Sequence, residues 1–155
     1  MHIRRATIED IPHILPLWRK LSDEHGEMEP MFKIVENAEN KFAEYLKTIL
    51  PKESYAVFVA ENDSKVVGYV VVSVSSAPDV FVIRKRLYVQ DMMVDASCRR
   101  AGIGRKLMQP VMAFAKEQQI EKMDLLVAVK NEEANIFWKA MGFEPALNYM
   151  TRYLA

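Results

Sequence analysis

The period of the apolar positions changes several times along this chain, and each change marks an element. After a short extended stretch, "HIRRAT", residues Ile11, Ile14, Leu15, Trp18 and Leu21 recur with helical spacing. A first helix is expected to start near Ile8, where Thr7 and Asp10 stand at capping-box spacing. Pro12 suits its first turn. Pro16 would remove an internal hydrogen bond and strike the carbonyl four residues back, so a kink or early end is expected there. The polar segment "SDEHGEMEPMFKI", with Gly26 and Pro30, reads as a loop or short turn. Phe42, Tyr45, Leu46 and Ile49 mark one face of a second helix, which Pro51 ends.

The period then shortens to that of strands. "YAVFVAE" and "KVVGYVVVSVS" are β-branched runs separated by "NDS" and are expected to form a hairpin, with "VIRKRLYVQDMMV" as a third long strand. An amphipathic helix follows, on which Ile103, Leu107, Val111 and Phe114 or Ala115 share a face. "KMDLLVAV" reads as a buried strand, "EEANIFWKAM" as a short helix stopped by Gly142, and "LNYMTRYL" as a final strand. The order β-α-α-β-β-β-α-β-α-β describes an α/β chain with antiparallel hairpins first and an αβ crossover later.

Composition narrows the function classes. The 155 residues are the length of one ordinary domain, and no repeat or linker divides residues 1–155. The 21 basic and 21 acidic residues cancel, so no global charge recruits nucleic acid or an anionic membrane. Cys98 is the one cysteine and cannot form an internal disulfide, and no leader or long apolar span is visible. A cytoplasmic protein is the expectation. The ten methionines, Met92 and Met93 among them in an apolar strand pattern, read as adaptable packing rather than a soft-metal site, and no metal is expected.

The densest chemistry lies in "CRRAGIGRKLM", at the mouth of the third helix. The first N–H groups of a helix lack intrahelical partners, and the peptide dipoles add about half a positive charge there. Gly102 and Gly104 remove β-carbons that would hold an anion away, while Arg99, Arg100, Arg105 and Lys106 attract one. A Walker loop would need a longer glycine interval closed by Gly-Lys and a hydroxyl. The dinucleotide fingerprint would need a third glycine where Leu107 stands.

An Arg or Gln, two residues, Gly, one residue and Gly, directly after an apolar strand, resembles the pyrophosphate turn of the GNAT superfamily of acetyl-CoA-dependent N-acyltransferases. Here that turn is Arg99-Arg100-Ala101-Gly102-Ile103-Gly104. A second motif, "NEEANIFWKAMGFE", supplies the Asn131, Ala134, Phe137, Trp138, Gly142 and Phe143 that the family carries one strand later. The likeness spans nearly the whole chain, the first 50 residues in element order more than in residues.

The resemblance implies a mixed, mostly antiparallel sheet with two splayed parallel strands and helices on both faces. It implies acetyl-CoA as cofactor, held by the turn through Arg105 and by Met92, Met93 and Val94 on one splayed strand. Asn131 would bond the cofactor's arm near Phe137 and Trp138, and an N–H of Met93 or Val94 would face the thioester oxygen. The acceptor would be an amine-bearing small molecule or a protein amino group, and a homodimer is compatible with the family. Where polyamine-type relatives carry a catalytic Glu this chain has Gln90, so Asp91 becomes the candidate base if a bulge re-aims it. Glu24, His25, Glu27 and Glu29 are its competitors. Trp138 stands where many relatives carry a Tyr acid, and an indole N–H is no acid. Three options stay open: Tyr149 as donor, solvent as donor, or a non-catalytic acyl-CoA-binding sensor.

Overall fold

The computed structural model describes residues 1–154. A five-stranded sheet in the order β1-β2-β3-β4-β5 is built from β1 (His2–Arg5), β2 (Tyr55–Asn62), β3 (Lys65–Ser76), β4 (Lys85–Val94) and β5 (Lys122–Leu125). The first four strands run antiparallel, and β5 joins β4 in parallel. The β2–β3 turn is made at Asp63 and Ser64, whose φ values of 48° and 61° place both in the left-handed region that a tight hairpin demands.

Helices α1 (Ile11–Met28) and α2 (Ala38–Ile49) cover one face, and α3 (Ile103–Glu117) and α4 (Glu132–Ala140) belong to the other. Because side chains alternate along a strand, β3 feeds both layers. Tyr69 and Val71 pack toward Ile14, Leu17 and Leu46 of α1 and α2. Val70 and Val72 meet Ile103, Leu107 and Val111 of α3, on the helix face that the spacing predicts.

Four expectations are corrected. Pro16 does not break α1, which continues to Met28 through most of the segment read as loop, and only Pro30–Phe32 form a separate 3-10 turn. The proline costs about 3 kcal/mol. Burying Ile11, Ile14, Leu17 and Leu21, at about 1.5–3 kcal/mol each, together with the 4.4 Å stack of Trp18 on Phe42, outweighs it. β5 is four half-exposed residues rather than a long buried strand, since it has a neighbour on one side only. "LNYMTRYL" forms no strand: residues 143–154 carry no regular structure.

At the start of α1, the buried Asp10 accepts from the Thr7 N–H at 2.7 Å and from both terminal nitrogens of Arg4 at 2.8 Å. Arg4 also pairs with Glu61 of β2 at 2.8 Å, tying β1, β2 and the helix entry together.

Candidate active site

The pairing of β4 with β5 runs from Arg86 opposite Lys122 to Val89 opposite Leu125 and then stops. Beyond it the two chains diverge around a cavity of about 410 Å³. β4 contributes Val89 to Val94, and the last residue of β5 with the chain after it contributes Leu125 to Ala128. The start of α3, one side of α4, and Leu21, Glu24, His25 and Phe32 complete the wall.

An irregularity in β4 sets the chemistry of this cavity. Val71 of β3 lies opposite Asp91, but Val72 lies opposite Val89, so Gln90 is an extra residue in the ladder. Before the bulge, Leu87 and Val89 pack toward α3; after it, Met92 and Val94 do. Gln90 and Asp91 therefore both turn to the α1/α2 side, where the Tyr45 hydroxyl donates to Gln90 Oε1 at 2.7 Å. Asp91 lines the cavity beside Tyr69, Tyr45 and Tyr88, whose hydroxyl pKa values its charge helps to raise. Burial pushes its carboxyl from 3.8 up to about 6. The Tyr69 hydroxyl is buried without a hydrogen-bond partner.

The same strand offers its backbone to the gap. The Asp95 N–H donates to Val67 of β3 at 2.8 Å, and the Met93 carbonyl also faces β3, lying 3.0 Å from where a β-carbon on Gly68 would stand. By alternation the N–H groups of Met92 and Val94 point the other way, into the cavity. The Val94 carbonyl on that side accepts from Arg99 Nε at 3.2 Å.

At the mouth, Gly102 is the N-cap of α3 with φ 75°, a conformation that costs any residue with a β-carbon. The first bond of the helix is Lys106 N–H to Gly102 carbonyl, so the N–H groups of Ile103, Gly104 and Arg105 have no helical partner. No acidic side chain lies in the first turn. Gly104 serves packing as well: a β-carbon there would stand 3.0 Å from the Phe137 ring and 3.1 Å from Met92. Arg100 and Arg105 line the cavity; Ala101 is exposed beside it. Arg99 spans the opening, 3.6 Å from Glu24 of α1 and 3.5 Å from Glu133 of α4.

Asn131 caps α4, its Oδ1 accepting from the Ala134 N–H at 3.1 Å, and it also lines the cavity. Phe137 and Trp138 meet edge to face at 4.8 Å, and Trp138 meets Phe143 at 5.3 Å, so this wall is both aromatic packing and lining. Of the competing bases, Glu24 and His25 border the cavity, whereas Glu27 and Glu29 are not among its lining residues. Burial lowers the His25 imidazole, which lies 5.4 Å from the Phe32 ring. Tyr149 is 69% exposed on the C-terminal segment and is not among the lining residues.

Leu21, Phe32 and Glu133 escape sequence reasoning as lining residues, because only the folding of α1, the 3-10 turn after it and α4 over the splay brings them there. Asn135 escapes it too: its side chain donates to the Ala128 carbonyl at 2.9 Å and so pins the β5 wall of the cavity. No group of three or more metal-ligating side chains occurs, and no helix is long and apolar enough to cross a membrane, among the described residues.

Residues 17–143 match the acetyltransferase (GNAT) family, and the chain belongs to that family. It is 30% identical over 147 residues to an N-alpha-acetyltransferase of Sulfurisphaera tokodaii, covering 92% of this chain and 79% of that one. It is 31% identical over 98 residues to N-acetyltransferase 8 of Homo sapiens, covering 63% of this chain and 42% of that protein. The chain spans less than half the length of several curated relatives it matches. Among solved structures, a mutant of the BH1408 protein from Bacillus halodurans superposes with a TM-score of 0.86 at 23% identity, over the whole of both chains. The aminoglycoside N-acetyltransferase AAC(6')-Iy in complex with CoA gives 0.75 at 17%, over 99% of each. These two likenesses show the fold.

Proposed function

We propose that this chain transfers the acetyl group of acetyl-CoA to an amine by direct attack in a ternary complex. Acetyl-CoA supplies the acetyl group as a thioester when bound. The residues present fit it: unpartnered N–H groups at the start of α3, flanked by Arg99, Arg100 and Arg105, suit a pyrophosphate. The N–H groups of Met92 and Val94, which the splay leaves without a strand partner, suit the carbonyls of an extended amide arm. Val94, the last residue of β4, is the better placed to donate to an oxygen on which charge grows during attack.

An alkylamine with a pKa near 10.4 arrives protonated and must lose a proton before it can attack. Asp91 takes that proton. The bulge at Gln90 carries this reading, because it turns a carboxyl with a pKa of about 6 into the cavity, ionised at neutral pH yet a far better base than an ordinary aspartate. His25 and Glu24 are the alternative acceptors on the same wall. Solvent protonates the departing thiolate, since a thiol pKa near 8.5 makes it a tolerable leaving group and no tyrosine lines the cavity among the described residues. Glu24, Asp91 and Glu133 favour a cationic acceptor, a small molecule or a protein amino terminus. The relatives and fold neighbours of this chain include an N-alpha-acetyltransferase and aminoglycoside N-acetyltransferases.

The test is thiol release from acetyl-CoA across classes of primary amine. Release with at least one class is expected. Tight CoA binding with acetyl-CoA stable toward every class would replace this reading with the non-catalytic sensor.

A further inference from the structure

The bulge that turns Asp91 into the cavity turns Gln90 with it, and the proton transfer to Asp91 leaves Gln90 without a task. Its side chain is nevertheless held in one orientation. The Tyr45 hydroxyl donates to Gln90 Oε1 at 2.7 Å. Burial, chiefly, raises the Tyr45 pKa, so the phenol keeps its proton and stays a donor at neutral pH. Tyr45 is itself fixed, because its ring stacks at 6.1 Å on Phe42, which stacks at 4.4 Å on Trp18. An amide whose oxygen is engaged has only its nitrogen left to offer. The Gln90 Nε2 has no partner among the described residues and is not buried, so it is open to the cavity that Gln90 lines.

We propose that Gln90 is a specificity residue for the acceptor: with Tyr45 holding its oxygen, its Nε2 donates to an uncharged carbonyl on the carbon beside the one that bears the amine. That is the arrangement of an α-amino group at the end of a peptide or of an amino-acid amide. The proposal rests on the transfer reading above, in which Asp91 receives the amine's proton. Gln90 and Asp91 are consecutive, with Cα atoms about 3.8 Å apart, and both side chains lie on one side of the strand. A nitrogen at Asp91 and an oxygen at Gln90 must therefore be close neighbours in the acceptor, and in an α-amino carbonyl they are about 3 Å apart.

The donor also selects the kind of oxygen. Two N–H groups suit a carbonyl, which only accepts. A carboxylate there would set a second negative charge beside Asp91, and a hydroxyl would bring a donor that competes with the ammonium for it. An acceptor with no oxygen would leave the amide unpaired, and a site built to hydrogen-bond its substrate turns such a loss into discrimination. The base agrees. A carboxylate with a pKa of about 6 takes a proton from an α-ammonium of pKa about 7.8 roughly two to three powers of ten more readily than from an alkylammonium of about 10.4.

Initial rates with acetyl-CoA test this on alaninamide, alaninol, alanine and isopropylamine, which share one branched carbon and differ only in what stands beside the amine. Alaninamide is expected to give the highest kcat/KM, at least tenfold above isopropylamine. In Gln90→Met, similar in length but without the donor, that ratio is expected to fall at least fivefold, through KM more than kcat. In Tyr45→Phe, which frees the amide to turn, it is expected to fall at least threefold, so the contact stays testable if the Gln90 variant fails to fold. Each ratio compares the same two amines in parent and variant, so their own pKa values cancel. Tetraalanine amide separates the two sources: kcat/KM above that of alaninamide assigns a peptide terminus, and equal values assign a small amide. Transfer to isopropylamine, alanine or a diamine as efficient as to alaninamide, or a ratio that neither variant moves, would overturn the proposal and leave acetyl transfer standing. Acetyl-CoA stable toward every amine would remove the transfer reading, and this proposal with it.

Discussion

Replacing Asp91 by Asn separates the catalytic role proposed for its carboxyl from what that carboxyl costs the fold. Its pKa rises from 3.8 to about 6 because burial disfavours the charged form. A raised carboxylate pKa means that stability is fully present below 3.8 and is lost as pH climbs through about 6. At about 1.4 kcal/mol per pKa unit, the rise sets an upper bound of about 3 kcal/mol on that loss, reduced by water in the adjoining cavity. Asp91→Asn never ionises. Relative to its difference from the parent at pH 3.5, it is therefore expected to gain up to about 3 kcal/mol by pH 8, which for a chain of this size is a shift of about 6–12 °C in Tm. Thermal melts across that pH range measure it. In the same variant kcat/KM is expected to fall by about 10²–10⁴, and the acid limb of its pH profile, near 6 in the parent, is expected to disappear. A Tm difference independent of pH would refute the burial argument, and an acid limb that survives in the variant would move the base to His25 or Glu24.

CoA at a hundredfold excess over Kd is expected to stabilise the parent by about 2.7 kcal/mol, seen as a rise in Tm, and Gly104→Val is expected to abolish the shift. The variant is also expected to melt below the parent, because its side chain enters the space of Phe137 and Met92; a stable variant that still responds to CoA would count against the turn as the pyrophosphate site. Tyr69→Phe removes a buried hydroxyl that has no partner and is expected to stabilise the fold by about 1 kcal/mol in denaturant melts, whereas a loss would reveal a bound water. Asp10→Asn is expected to cost about 1.5–3 kcal/mol at pH 7. Its carboxyl is held below 3.8, chiefly by the hydrogen bonds from Arg4, so that stability is present at neutral pH and lost as pH falls through the lowered value. The gap between parent and variant should close in acid melts.

Much of this protein is legible along the chain, because much of it is local. The β2–β3 hairpin follows from β-branched runs around a turn that accepts left-handed residues, and the face of α3 from apolar spacing alone. The turn proposed for the pyrophosphate is legible for the same reason: Gly102, Gly104 and the arginines present their own backbone and charge within one loop and one helix start. Other features depend on what lies opposite. Pro16 would end an isolated helix, and only burial of α1 against the sheet keeps it whole. Strict alternation would have sent Asp91 to the α3 face; the bulge that reverses it exists only in the register between β3 and β4. "LNYMTRYL" has the pattern of a strand and is none in this chain, because a strand requires a partner edge, and pattern supplies only one half of a pair.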